Sequence, residues 1–415
     1  MVTAAWAVTA AFGAYFCMYA FRKPFAAAAF KDMVYWGVNL KVMLVVAQVL
    51  GYATAKFIGI KVIAEMTPAR RAVGILLLIG IAHVALLFFA IVPFALKPLL
   101  LFANGLSLGM VFGLVLGFLE GRSLTEALSA GLCASFILAD GATKAVGSWL
   151  LSQGISEFWM PFVAGLLFII PLLIFVAMLS RIQPPTTHDI EHRSERLPMT
   201  AADRSSFLHR YGIGLGLLVL VYLLITVLRS VRSDFAREIW QSFGQPAEPA
   251  DFWQSEMIVA LGVVLVNGLS VFIRSNRYAF FASLAVSGGG MMLVALALVL
   301  RSADLIDGFV VMTLLGLGLY LPYVAVHTTV FERLIAMTRD RGNVGFLLYV
   351  ADAVGYLGYV VVMLVKNFAS PKVNFYDFLA TASWLVVVVS TICLLFCGIY
   401  FERRMRGLHD YSSPK

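Results

Sequence analysis

Runs of about 20 apolar residues recur along the whole chain between short polar interruptions, and a run of that length spans the hydrocarbon core of a bilayer as a helix. Twelve are predicted, at 4–29, 40–64, 72–95, 98–119, 125–152, 158–181, 211–234, 255–274, 279–300, 307–332, 343–366 and 376–401. The longest polar interruption, 182–210, carries Pro184-Pro185 and mixed charge, and is too short for a domain of its own. It divides the chain into an N-terminal six-helix bundle (1–181), a cytoplasmic linker (182–210), a C-terminal six-helix bundle (211–402) and a cytoplasmic tail (403–415). The opening MVTAAWAV lacks the basic region and cleavage pattern of a secretory signal, so the first apolar run reads as a retained helix.

Composition agrees with the pattern. The chain of 415 residues is 61% hydrophobic and 13% charged, with a mean hydropathy of +0.90; soluble domains carry about 25% charged residues. A soluble enzyme, a disordered regulator and a nucleic-acid module are excluded. The net charge of +8 reports topology instead. With both termini cytoplasmic, seventeen Lys and Arg fall in cytoplasmic loops and tail, Arg70, Arg71, Arg181, Arg210, Arg277, Arg403 and Arg404 among them, against seven on the opposite side. That asymmetry satisfies the positive-inside rule, so no nucleic acid is needed to account for the basic charge. Cys17, Cys133, Cys393 and Cys397 all lie inside apolar runs, where they read as packing residues; no metal or other cofactor is expected.

The two halves repeat one another. Arg22 and Arg229 are each preceded seven residues earlier by a tyrosine, Tyr15 and Tyr222, on the same helical face. Leu119-Glu120 is followed by Ala139-Asp140, and Phe331-Glu332 by Ala351-Asp352, at the same spacing. Two parallel six-helix repeats around a central cavity are the architecture of the major facilitator superfamily, an all-α membrane fold of twelve transmembrane helices.

A charge near the bilayer centre costs about 2.5–3.5 kcal/mol on insertion scales, so each invites a functional reading. Arg22 and Arg229 at repeat-equivalent positions can face one another across the cavity, each offering a planar fork of donors that suits phosphate or carboxylate. The competing reading is that both snorkel to the outer interface from the helix ends. Asp140 and Lys144, four apart, can neutralise each other without any functional role. Asp352 has no basic residue within four positions, so it calls either for a cation from another helix, Lys56 or Arg229, or for a proton; coupling or substrate release is its expected role. Glu120 and Glu332, near Arg122 and Arg333, are expected to bridge helices and hold the inward gate shut. His83, Trp149 and Trp384 read as packing or lipid-facing residues, and Gly105, Gly109, Gly113 and Gly117 as a close-packing stripe rather than a hinge.

The pattern Tyr19-x-x-Arg22-Lys23-x-Phe25-Ala26, with Arg229 five residues before Asp234, resembles the organophosphate:phosphate antiporters, the glycerol-3-phosphate and hexose-phosphate transporters. The resemblance implies that Arg22 and Arg229 bind a phosphoryl group at the top of the cavity with Lys23 beside them. His327, ahead of Glu332, loosely matches that family's His-x-x-Glu with two more intervening residues. The chain departs from the superfamily's Asp-Arg loop between helices two and three, since Gly59 to Arg71 keeps only the basic end, and it adds charges at Lys56, Asp140, Lys144, Arg232 and Asp352. It more closely resembles a group of bacterial membrane proteins of unknown function, and that resemblance implies the bacterial cytoplasmic (inner) membrane as its expected location.

The sequence thus predicts a monomeric secondary active transporter of a small organic anion, a phosphate ester exchanged for inorganic phosphate by alternating access, with inorganic phosphate or protons as the counter-substrate or coupling ion. Arg22, Lys23, Arg229, Tyr15, Tyr222 and His327 would bind substrate, and Asp140, Lys144, Asp352, Glu120 and Glu332 would couple or gate. Two alternatives are a proton symporter of carboxylates or sugar acids and a non-transporting sensor of phosphorylated metabolites. No nucleophile–base pair, metal cluster or phosphate loop points to an enzyme.

Overall fold

The computed structural model describes residues 2–64, 66, 68–119, 125–183, 201–244, 248–338, 344–369 and 373–412. Its elements are α1 (Val2–Tyr19), β1 (Val34–Tyr35), β2 (Val38–Asn39), α2 (Leu40–Ala64), α3 (Pro68–Ile91), α4 (Lys97–Leu108), α5 (Val111–Leu119), α6 (Thr125–Ser152), α7 (Met160–Ser180) and α8 (Ala201–Asp234). They continue with α9 (Ala236–Ser242), α10 (Pro249–Gly268), α11 (Asn276–Ser302), α12 (Gly308–Ala325), α13 (Phe331–Thr338), α14 (Val344–Ala369) and α15 (Phe375–Ser412). Among the described residues, ten spans are long and apolar enough to cross a membrane. The other two of the twelve are α1, apolar but short over Ala5–Tyr19, and α6, whose hydropathy is diluted by Asp140 and Lys144. The chain is a multi-pass, all-α membrane protein, and an even number of crossings brings the start of α1 and the end of α15 to one end of the bundle, the terminal end.

Several boundaries differ from the hydropathy pattern, each for a local reason. The first span ends at Tyr19 instead of 29, because Pro24 lacks an N–H and its ring cannot follow a continuous helix. A tight turn over residues 20–23 and a 3₁₀ turn over Pro24–Ala27 replace its last part. Beyond it, β1 and β2 pair antiparallel around Trp36-Gly37, whose positive φ values of 49° and 79° suit a two-residue hairpin turn. Trp36, 88% exposed, projects from this hairpin at the far end. At the terminal end, α8 begins at Ala201, ten residues before the apolar run, and α15 continues to Ser412, into the predicted tail.

The first six spans meet the last six along α2 against α14 and α6 against α10. The second contact is close enough to require glycine: a Cβ on Gly141 would sit 2.3 Å from the Phe252 carbonyl oxygen. Gly105 and Gly109 serve likewise between α4 and α2, where added Cβ atoms would lie 2.0 Å from the Gln48 oxygen and 2.6 Å from Ala55 Cβ. The helix also breaks at Gly109-Met110, between α4 and α5. Pro322 inside α12 precedes a π turn over Val326–Val330, the expected response to a missing donor in a helical ladder.

Candidate functional site

Each helix lining the interface carries polar or aromatic side chains at helical spacing inside an otherwise apolar span: Tyr15, Tyr19 and Arg22 on the first; Gln48, Tyr52 and Lys56 on α2; Tyr222, Thr226, Arg229 and Ser233 on α8; Tyr320, Tyr323 and His327 on the tenth span; Asp352, Tyr356 and Tyr359 on α14. These stripes converge between the halves.

At the centre lie Arg22 and Arg229, only 6% and 7% exposed, which rules out the snorkelling alternative. Arg22 Cζ stands 4.0 Å from the centre of the Tyr52 ring and Arg229 Cζ 4.2 Å from that of Tyr323, so each guanidinium rests on a tyrosine face. Tyr52 and Tyr323, the rings under the two guanidiniums, line one cavity together with Tyr19 and Tyr356. Among the described residues no carboxylate reaches ion-pair distance of either, and the Nε of each is buried without a hydrogen-bond partner.

Arg22 is held by the turn that ends α1. A turn leaves carbonyls without helical donors, and here buried amides supply them. Gln48 Nε2 donates to the Arg22 carbonyl at 3.1 Å and to Asn104 Oδ1 at 2.8 Å, while Asn104 Nδ2 donates to the Phe21 and Ala82 carbonyls at 2.9 and 3.1 Å. Asn104→Ala strands these buried groups, and a loss of about 1–3 kcal/mol in stability is expected, read as a lower midpoint in thermal unfolding. An unchanged midpoint would show that the turn holds itself.

Toward the far end, an ion-pair network crosses between the halves. Lys23 Nζ contacts Asp234 at 2.5 Å, Ser233 Oγ at 3.0 Å and Asp140 at 3.5 Å. Lys144 contacts Asp140 at 2.5 Å and donates to the Ser233 carbonyl at 2.7 Å. Ser233 Oγ donates to Asp140, and the Tyr359 hydroxyl to Asp234 Oδ2 at 2.9 Å. Asp140 and Lys144 therefore neutralise each other as expected, but they also meet Lys23 within their own half and Ser233 across the interface. Nearby, Lys41 bridges to Glu238 at 2.5 Å and donates to the Ala26 carbonyl at 2.8 Å, and Arg237 donates to the Ala27 carbonyl.

Toward the terminal end a second bridge joins the halves. Lys56 Nζ lies 3.0 Å from Asp352, which also accepts from the Tyr222 hydroxyl. His327 Nε2 is 3.6 Å from Asp352 and 3.4 Å from the Tyr222 oxygen, and its Nδ1 is 3.0 Å from the Tyr323 carbonyl oxygen. Lys56, not Arg229, is thus the cation that answers Asp352. Tyr15 approaches Tyr52, hydroxyl to hydroxyl, at 3.4 Å. Between this bridge and the arginines remains a cavity of about 20 Å³, lined by Tyr19, Tyr52, Phe112, Phe136, Tyr323 and Tyr356 among others, room for about one water. Bridges between the halves thus lie toward both ends of the bundle.

The remaining predicted residues lie elsewhere. Glu332 is half-buried in the first turn of α13 beside Arg333, which donates to Asn276 Oδ1 at 2.8 Å; Glu120 lies outside the described residues. His83 stacks on Phe162 and meets Phe21 edge-on, a packing position, and Trp149 and Trp384 are exposed on the bundle's outer face. Arg232 is neutralised by Glu256 at 2.7 Å. No cluster of metal-ligating side chains occurs among the described residues. The tyrosines around the arginines, and Ser233, Asp234 and Tyr359, were not singled out from sequence as site residues, although the polar stripes carried the signal.

The fold is that of major facilitator transporters. A D-xylose-proton symporter superposes with a TM-score of 0.61 at 12% identity, covering 95% of this chain and 96% of that one. The human organic anion transporter MFSD10 (TETRAN) superposes with a TM-score of 0.53 at 18% identity, covering 93% and 99%. No curated protein matches the chain in sequence. Residues 24–404 match the family described as "Family of unknown function (DUF5690)".

Proposed function

The chain belongs to DUF5690, and we propose that it is a secondary active transporter that binds a small organic anion, a phosphate ester exchanged for inorganic phosphate, between Arg22 and Arg229. The observation that carries this reading is the pair of buried guanidiniums without a counterion among the described residues. Among the described residues, the buried cations nearest them are each paired, Lys23 with Asp234, Lys144 with Asp140, Arg232 with Glu256, Lys56 with Asp352 and Lys41 with Glu238, while Lys97 and Lys366 rest on Phe158 and Phe375. The chamber is left with two positive charges. A phosphate monoester brings about −1.5 to −2 at neutral pH and acceptor oxygens for both forks, whereas a monocarboxylate would leave one cation unmatched.

An occupied site removes the repulsion between the arginines and lets the bundles 1–181 and 211–402 close on the ligand; an empty one resists closing, which favours exchange over net flux. The Lys23–Asp234 network acts as the outer latch and the Lys56–Asp352 bridge as the inner one, with both termini cytoplasmic by the distribution of basic residues and the protein in a bacterial inner membrane. Lys23 adjoins Arg22, so an arriving anion can compete with Asp234 for it. Labelled phosphate should enter proteoliposomes loaded with unlabelled phosphate; folded protein that shows no exchange contradicts the antiport reading, as a sensor would.

A second reading, proton-coupled anion uptake, is favoured by His327 standing 3.6 Å from Asp352. A proton on His327 would give Asp352 a second cationic partner within its own half and free Lys56. If protons act here, Asp352→Asn abolishes the pH dependence of transport; a pH profile that survives the substitution removes Asp352 from coupling.

A further inference from the structure

On the outer surface near the terminal end, α8 and α15 pack together and leave a groove of about 560 Å³. Its walls are Ile213, Leu217, Phe396, Ile399 and Tyr400, and Arg403 and Arg404 stand on its rim. The apolar side chains are turned outward, Ile213 being 70% exposed and Phe396 60%. The Tyr400 hydroxyl donates to the Arg210 carbonyl at 3.1 Å and fastens one helix to the other. Two residues at the rim have no counterion: Arg403 and Arg404 are exposed and make no ion pair among the described residues. The adjacent Glu402 is already engaged by Arg277 at 2.6 Å and Arg406 at 3.0 Å.

The spacing matches a lipid. Eight residues of helix separate Phe396 from Arg404, about 12 Å of rise, which sets the apolar walls at hydrocarbon depth when the arginines are at headgroup depth. We propose that this groove binds an anionic phospholipid, an acyl chain lying along Ile213, Leu217, Phe396 and Ile399 and the phosphate held by Arg403 and Arg404. Guanidinium forks suit phosphate, and a basic pocket between membrane helices attracts anionic headgroups. A second copy of the chain docking symmetrically would bring the same two arginines against each other, with like charge on both sides. The groove lies on the lipid face, away from the arginine chamber, so its occupancy does not depend on the transport reading.

The test is native mass spectrometry of the purified, delipidated protein in neutral detergent with added phosphatidylglycerol, phosphatidylcholine or inorganic phosphate alone. Wild type is expected to retain phosphatidylglycerol in preference to phosphatidylcholine. Affinity should fall about fivefold for Arg403→Gln or Arg404→Gln and about thirtyfold for both, as about 1 kcal/mol per arginine near an anionic surface implies. Leu217→Trp, which fills the groove and keeps the charges, should also weaken retention. Inorganic phosphate should bind wild type and the double variant alike, because it lacks the chain that needs the groove. The proposal is overturned if phosphatidylcholine is retained equally, if the double variant keeps its affinity for phosphatidylglycerol, or if a protein dimer rather than a lipid adduct is lost on mutation.

Discussion

Arg22→Lys and Arg229→Lys are each expected to slow phosphate exchange about 10- to 150-fold with little change in thermal stability. Both substitutions keep the charge, so the chamber's electrostatic balance and the repulsion in the empty state persist. What is lost is the planar fork: a lysine presents a compact point charge and cannot span two oxygens of a phosphate in one geometry. A charge-assisted hydrogen bond contributes about 1.5–3 kcal/mol, which sets the range of the slowing. The stability comparison matters because each guanidinium also rests on a tyrosine, Arg22 on Tyr52 and Arg229 on Tyr323. Equal falls in exchange and in unfolding midpoint would assign the arginines to packing alone.

The second large effect concerns the outer latch. Asp234→Asn leaves Lys23 and Lys144 to share Asp140, the one carboxylate remaining in that network. Breaking one partner of a buried pair costs about 3–5 kcal/mol, because the other charge stays desolvated. A markedly lower unfolding midpoint is expected for Asp234→Asn and for Lys23→Met alone, while Lys23→Met with Asp234→Asn, which removes both charges, should recover much of it. Thermal unfolding of the four proteins decides the matter. A double variant as unstable as the sum of the singles would mean that Lys23 and Asp234 do not act as a pair.

How much of this was legible in the sequence depended on range. Apolar runs of bilayer length marked the spans, and four-residue spacing marked Asp140 with Lys144, because both signals lie within one helix. Arg22 and Arg229 stood out because a duplicated chain repeats its charges. The partner of Lys23 did not, since Asp234 lies 211 residues away and only the docking of the halves joins them. The same holds for Lys56 with Asp352 and Lys41 with Glu238. The end of α1 at Tyr19 was hidden by hydropathy, which rates the residues after Pro24 as apolar and is blind to the donor that proline lacks. The hairpin at 34–39 is hidden for a related reason: two-residue strands carry too little alternation to register.

The most direct test of the shared-anion chamber is an experimental structure of the protein with inorganic phosphate. The account predicts one phosphate density between Arg22 and Arg229, with guanidinium nitrogens about 2.7–2.9 Å from its oxygens and Tyr52 and Tyr323 still stacked behind them. Phosphate bound to one arginine only, or two guanidiniums that stay more than about 15 Å apart with ligand present, a gap no single phosphate can bridge with such contacts, would contradict it.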